Sequence, residues 1–133
     1  MTRVFLFLDG SAEEPIYVQI YRQVTAAVVD GSFAVGETLP GTRRLAQSLG
    51  VNYHTVHKAY ELLQMRGLIT MSPRGKAVVR RPDPLGPSDE WVRTWEADLR
   101  TRFREALALG LSSGEILRRS RAVLEDLPAA SDA

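Results

Sequence analysis

Residues 39–80 read LPGTRRLAQSLGVNYHTVHKAYELLQMRGLITMSPRGKAVVR, and the placement of apolar residues and glycines along this stretch decides the fold. From Thr42 to Leu49, the residues Leu45, Ala46 and Leu49 fall on one side of a short helix, leaving Arg43, Arg44 and Gln47 outside. Gly50 supplies the left-handed position that ends it. Two residues later Asn52 caps a second helix, which runs from about Tyr53 to Arg66 and stops at Gly67. Val56, Ala59, Tyr60 and Leu63 recur at i, i+3, i+4 and i+7, so this face turns inward. His54, His57, Lys58 and Glu61 occupy the opposite face, with Tyr53 and Thr55 on its flanks. Two helices joined by a short turn containing Gly form a helix-turn-helix, whose second helix lies in the DNA major groove and reads bases near its N-terminus. The expected base contacts are therefore Tyr53, His54, Thr55 and His57, with Lys58 reaching a phosphate.

A basic hairpin follows directly. Leu68 to Met71 and Ala77 to Arg80 are β-prone runs separated by Ser72, Pro73, Arg74, Gly75 and Lys76, a turn that lifts two cations to its tip. Such a wing meets phosphates or a minor groove, where Arg and Lys gain most from the negative potential. Charge placement agrees. The whole chain carries a formal charge of only +1, yet Pro40 to Arg81 contains eight cations (Arg43, Arg44, Lys58, Arg66, Arg74, Lys76, Arg80, Arg81) against the single acid Glu61, a local net of +7. Both flanks are acidic. Charge by itself equally fits an uneven solvated surface; its coincidence with the helix spacing and the glycines favours a nucleic-acid face.

Several motifs in one order carry a family resemblance. Pro15-Ile-Tyr-Val-Gln-Ile, Gly36-Glu-Thr-Leu-Pro, Arg43-Arg-Leu-Ala, Leu49-Gly-Val-Asn, Thr55-Val, Lys58-Ala-Tyr-Glu-Leu-Leu and Arg66-Gly-Leu-Ile resemble the winged-helix domain of the GntR family. Chain length and the two helices after the wing are similar to its YtrA subfamily, transcriptional regulators that bind operators as dimers. The match is strong over about residues 9–80 and loose in the tail. The resemblance implies a mainly α fold with a small β-hairpin: a winged helix-turn-helix domain (residues 1–81), a linker (82–87) and a two-helix C-terminal hairpin for dimerisation (88–128). It also implies that Arg43 fills the position of a DNA-contacting Arg and that Arg74 and Gly75 match the wing.

This sequence departs from the family at several positions. Gly41 and Arg44 stand where the family usually has a Ser and an acid, which would make a capping box. Gly41 caps without a side chain unless Thr42 takes the role, and Arg44 cannot accept an amide hydrogen bond. Either this helix starts less stably or Arg44 has been released to meet phosphate, the second being the preferred reading. Tyr53, His54 and His57 stand where the family often has Arg, Asn or Thr, and Arg or Ser. Loss of that Arg removes a bidentate guanine contact and implies a different operator. It also motivates a second reading, a winged-helix protein-interaction module without specific DNA binding. Ala77 replaces a frequent second Gly, which implies a less permissive wing turn.

Toward the N-terminus, Val4 to Leu8 is a short apolar run read as a covering or intersubunit strand. Asp9 to Glu14 connects it to a helix that starts with Pro15 at its first position and runs to about Asp30. Ile16, Ile20, Val24, Ala27 and Val28 form its buried stripe, and Tyr17 and Tyr21 share a face that is read as core, with an interface as the alternative.

Beyond the wing, Pro82-Asp-Pro-Leu-Gly-Pro favours an extended linker. Ser88 caps a helix with Asp89 and Glu90 in its first turn, and Trp91, Trp95, Leu99, Phe103 and Leu107 recur every fourth residue along it, widened by Val92 and Ala106. Ser112-Ser-Gly-Glu115 reads as a capping box for a last helix bearing Ile116, Leu117, Val123, Leu124 and Leu127, which Pro128 ends. Two helices of this size cannot bury two Trp and a Phe alone. The expected dimerisation residues are Trp91, Trp95, Leu99, Phe103, Leu107, Ile116, Leu117, Val123 and Leu124, because a second copy of the hairpin covers them and matches a palindromic operator. The competing arrangement folds the hairpin onto its own winged-helix domain.

Other function classes find little purchase. The chain has no Cys, and His54 and His57 alone make a poor metal pair. No catalytic constellation or phosphate-binding glycine loop is present, so no enzyme activity and no cofactor are expected. The apolar run at the N-terminus is too short to cross a membrane and lacks a cleavage signature, and the acids of the Trp-bearing helix oppose an anionic lipid surface. A cytoplasmic protein with an operator duplex and a second copy as partners is expected, and a small-molecule effector is not indicated.

Overall fold

The computed structural model describes residues 6–127, and the chain divides into two compact units with the break between Arg81 and Pro82. The first holds three helices, α1 (Ile16–Val29), α2 (Thr42–Leu49) and α3 (Tyr53–Met65), followed by the antiparallel strands β1 (Ile69–Met71) and β2 (Ala77–Val79). The second holds α4 (Asp89–Ala108) and α5 (Ser113–Asp126). The fold is mainly helical with one small hairpin, as the periodicity predicts.

The inward face of α3 is the centre of the first unit. Val56, Ala59 and Leu63 are fully buried and Tyr60 nearly so, and α3 packs on α1, on α2 and on β1. Ile20 and Val24 of α1, Leu45 and Ala46 of α2, and Ile69, Ala77 and Val79 of the hairpin complete the core, with Phe33 and Leu39 from the intervening loop. Burying each large apolar side chain contributes about 1.5–3 kcal/mol. Apolar spacing in the sequence therefore sets how the helices face one another.

The hairpin register pairs Ile69 with Val79, Thr70 with Val78 and Met71 with Ala77. An additional edge joins it. Thr38 bridges Val78, the Leu39 amide donates to the Ala77 carbonyl at 2.8 Å, and the Val79 amide donates to the Glu37 carbonyl at 2.9 Å. The connector before α2 is thus stitched to the wing, a long-range pairing that local sequence does not announce.

Three local expectations need correction. Pro15 is the N-cap of α1, with φ −57° and ψ 148°, rather than its first helical residue. Residues 82–87 are not simply extended: the Asp83 carboxylate accepts from the Leu85 amide at 2.8 Å and the Asp83 carbonyl from the Gly86 amide at 2.9 Å, because a short Asx side chain competes well for nearby amides. The third concerns the N-terminal apolar run, whose Val4 and Phe5 lie outside the described residues. Leu6, Phe7 and Leu8 form no strand.

That run is held by side-chain amides instead. Gln19, the buried polar residue of α1, accepts from the Asp9 amide at 2.8 Å and donates to the Asp9 and Glu14 carbonyls at 3.0 and 2.9 Å. One turn later Gln23 accepts from the Phe7 amide at 2.9 Å and donates to the Phe7 carbonyl at 2.8 Å. Residues 7 and 9 point their backbone groups the same way, and glutamines at i and i+4 of a helix offer two amides in line. The helix thereby imitates a neighbouring strand, while Leu6 and Leu8 pack against the core.

In the second unit the expected serine caps start both helices, while the Glu115 carboxylate of the expected capping box faces Arg119 instead. Ser88 accepts from the Trp91 amide and Ser112 from the Glu115 amide, each at 3.1 Å, and Asp89 and Glu90 lie in the first turn of α4. The Glu115 carboxylate lies 3.7 Å from Arg119 Nε, one turn along α5. Pro128 lies outside the described residues.

Gln19→Leu should lower unfolding stability by about 1–3 kcal/mol, since it strands part-buried backbone groups that Gln19 now satisfies. Gln23→Leu, whose bonds are exposed to water, should cost clearly less. Denaturant midpoints measure both, and equal losses would refute this account of the N-terminal run.

Candidate nucleic-acid interface

The turn between α2 and α3 is built by two residues. Gly50 adopts φ 68°, the left-handed conformation that closes α2, and the Val51 amide donates to the Ala46 carbonyl at 3.1 Å. Asn52 then accepts from the His54 amide at 2.8 Å and starts α3. Its buried face fixes its rotation. Tyr60 adds a tie, donating from its hydroxyl to the Pro40 carbonyl at 2.6 Å, and burial pushes its phenol pKa well above the usual range.

With α3 oriented this way, His54 and Lys58 are exposed, and Tyr53, Thr55 and His57 are half-buried along the same side. Tyr53 is the hub of a cluster. Its ring lies 5.1 Å from His54 in an edge-on arrangement, 5.7 Å from His57 in a stacked one, and 4.5 Å from the Arg43 guanidinium carbon. The sequence places these four residues on one side of the helix-turn-helix but does not reveal that they touch. His57 also approaches Glu61, one turn along, with Nε2 to Oε1 at 3.7 Å. Among the described residues no group of three His, Cys, Asp or Glu is arranged to hold a metal ion.

Arg43 and Arg44 are exposed in the first turn of α2, where Gly41 provides the N-cap without a side-chain hydrogen bond and no acid is present. Two cations at the positive end of a helix dipole are mutually unfavourable by a few tenths of a kcal/mol or more. An incoming anion would relieve that repulsion and meet free backbone amides as well.

The wing tip is carried by a tight turn. The Ser72 amide donates to the Lys76 carbonyl at 2.8 Å, and the Gly75 amide donates to the Ser72 carbonyl at 2.9 Å. The Lys76 amide donates to Ser72 Oγ at 3.1 Å. Gly75 has φ 82°, so the left-handed residue of this turn is the glycine the sequence retains. Ala77 already belongs to β2 and is buried, so a second glycine there is not required by the turn. Arg74, Gly75 and Lys76 are all exposed.

Tyr17 plays a part that its sequence context does not disclose. Read as core, it is half-buried and packs against the core edge, but its ring also carries Lys58 Nζ 4.1 Å from its centroid. The two residues sit on different helices, and no spacing rule links them.

In α4 and α5 the expected dimerisation residues stay open to solvent, as neither helix buries any residue in the single chain. Trp91 and Trp95 stack at 6.3 Å with 14° between planes, and each keeps over a third of its surface exposed. Phe103, Leu107, Leu117, Val123 and Leu124 are likewise exposed, and Leu99 and Ile116 are half-buried.

Comparison with known proteins places this arrangement. Residues 16–79, which span the three helices and both strands of the first unit, match the model for bacterial regulatory proteins of the gntR family. The chain is 30% identical to the HTH-type transcriptional regulator Rv1152 of Mycobacterium tuberculosis over 116 residues, covering 87% of this chain and 91% of that protein. The match to the HTH-type transcriptional repressor YtrA of Bacillus subtilis is more local, 38% identical over 69 residues, which are 51% of this chain and 53% of that protein. Among solved structures, a transcriptional antiterminator from Listeria monocytogenes superposes with a TM-score of 0.81 at 25% identity, covering 100% of this chain and 98% of that one. YtrA from Sulfolobus acidocaldarius, a GntR-family transcription factor, gives 0.64 at 33% identity, covering 77% of this chain and 97% of that one. With its helix-turn-helix, its wing and these relatives together, the chain belongs to the GntR family of bacterial transcriptional regulators.

Proposed function

We propose that this regulator binds a palindromic operator as a homodimer, without catalysis, and represses by occupying promoter DNA. The observation that carries the reading is the exposed side of the helix-turn-helix, where Arg43, Tyr53, His54 and His57 form one contiguous cluster at the N-terminal end of α3. Tyr53, His54, Thr55 and His57 are the base-facing residues in this reading. Arg43, Arg44, Lys58, Arg74 and Lys76 neutralise phosphates, with Gly75 bringing the wing backbone close. Repression is the reading supported by the likeness to YtrA of Bacillus subtilis, a transcriptional repressor.

Residues 1–81 act as the DNA-binding domain, 82–87 as the linker and 88–128 as the dimerisation hairpin. Dimerisation is supported by the exposed apolar run of Trp91, Trp95, Phe103 and Leu107 on α4 together with Leu117, Val123 and Leu124 on α5. So many large apolar groups in a unit that buries none of its own residues favour a covering surface of equal character. Among the described residues no helix is long and apolar enough to cross a membrane, and the expected site of action is the cytoplasm, where the operator lies.

Selection of bound duplexes from a random pool, carried out at two salt concentrations, tests the reading. Recovery of two half-sites about one helical turn apart is expected. Weak binding without sequence preference at either salt would favour a protein-interaction module instead. On the selected operator, Arg74→Ala should weaken binding to every sequence and reduce the salt slope by about one, whereas His57→Ala should shift operator preference by roughly tenfold. Uniform losses for both would sink the division into phosphate and base contacts. Sedimentation should find a dimer that Phe103→Glu converts to a folded monomer; a dimer that survives the change would place the interface elsewhere.

A further inference from the structure

We infer that Tyr17, on α1 and outside the helix-turn-helix, is a positioning residue of the DNA interface: its ring holds the Lys58 ammonium in place for a phosphate. The inference rests on the DNA-binding reading above and deepens it. Lys58 Nζ stands 4.1 Å from the centre of the Tyr17 ring while the residue as a whole remains exposed. Tyr17 is itself half-buried and packed at the edge of the core, so the ring is a fixed platform and the lysine is the mobile partner.

The same device occurs a second time. Arg43, a cation of α2, lies 4.5 Å over the ring of Tyr53 on α3. In both cases a tyrosine of one helix carries a cation of another on its face. Both cations lie at the helix-turn-helix. A long flexible side chain that contacts a phosphate loses rotamer freedom on binding. An aromatic face that already restrains the stem removes part of that loss in advance, and it leaves the N–H groups on the solvent side able to donate. Attraction to the ring quadrupole is also far weaker than pairing with a carboxylate, so the cation is oriented without being neutralised. Among the described residues no acid forms an ion pair with Lys58.

The test uses the full chain and its selected operator. Tyr17→Phe keeps the ring and should bind as the wild type does. Tyr17→Leu should weaken binding about two- to five-fold on all duplexes, the range of an exposed cation–π contact, while leaving the salt slope unchanged because Lys58 keeps its charge. Lys58→Met should lower the slope by about one. Adding Tyr17→Leu to Lys58→Met should then cost nothing further. A full additional loss in the double variant, or a Tyr17→Leu affinity equal to wild type, would overturn the inference. A measurement on the unaltered protein guards against a variant that fails to fold: the Lys58 methylene protons should be shifted upfield by the ring, and random-coil values would refute the contact. Wild-type protein that shows the upfield shift but no salt-dependent DNA affinity would remove the functional role by refuting the DNA-binding reading itself.

Discussion

Everything in the first unit depends on the buried side of one helix. α3 touches α1, α2 and β1, and Val56, Ala59, Tyr60 and Leu63 leave it no freedom to rotate without exposing large apolar area. A helix rotated by one residue would carry Tyr60 or Leu63 toward water and His57 or Glu61 into the core, and an unpaired ionisable group there is among the most expensive defects a small domain can hold. The exposed chemistry of α3 is therefore set by its hidden chemistry. The Tyr60 hydroxyl, bonded to the Pro40 carbonyl, extends the same control to the approach to α2.

Sequence and structure agree where the information is local. Gly50 and Asn52 stand at the junction of α2 and α3 because a left-handed turn and an amide-accepting cap have few other residue types to draw on. Periodicity identifies the core of α1 and α3, and the punctuation around Ser72 to Lys76 marks the wing. Agreement ends where a contact joins distant residues. The amides of Gln19 and Gln23 replace a strand partner for the N-terminal run, which reads as a strand from its apolar character alone. Residues 36–39 join the wing sheet, and Asp83 bends a segment whose prolines suggest extension. The candidate interface follows the same division: the outward placement of Tyr53, His54 and His57 is legible, but the meeting of Tyr53 with Arg43 is not, nor is the pairing of Lys58 with Tyr17.

The second unit has a different logic. α4 and α5 bury no residue, so their limits are set by end chemistry, with Ser88 and Ser112 accepting the first free amides. Helices of 20 and 14 residues defined by caps and propensity, and not by a core of their own, present their apolar residues ready for another surface. This explains why the stripe is so easily read in the sequence: nothing within the unit masks it.

One stitch in the first unit has a mechanical meaning. Thr38 and Leu39 are bonded to β2, and the next residue, Pro40, is held by Tyr60 of α3. The base of the wing, the connector and α3 are consequently tied by hydrogen bonds into one frame. A duplex gripped at both places would meet a gauge of fixed span. The flexibility needed to satisfy both contacts would have to come from the DNA, so groove width and bendability would be weighed alongside the identity of the bases.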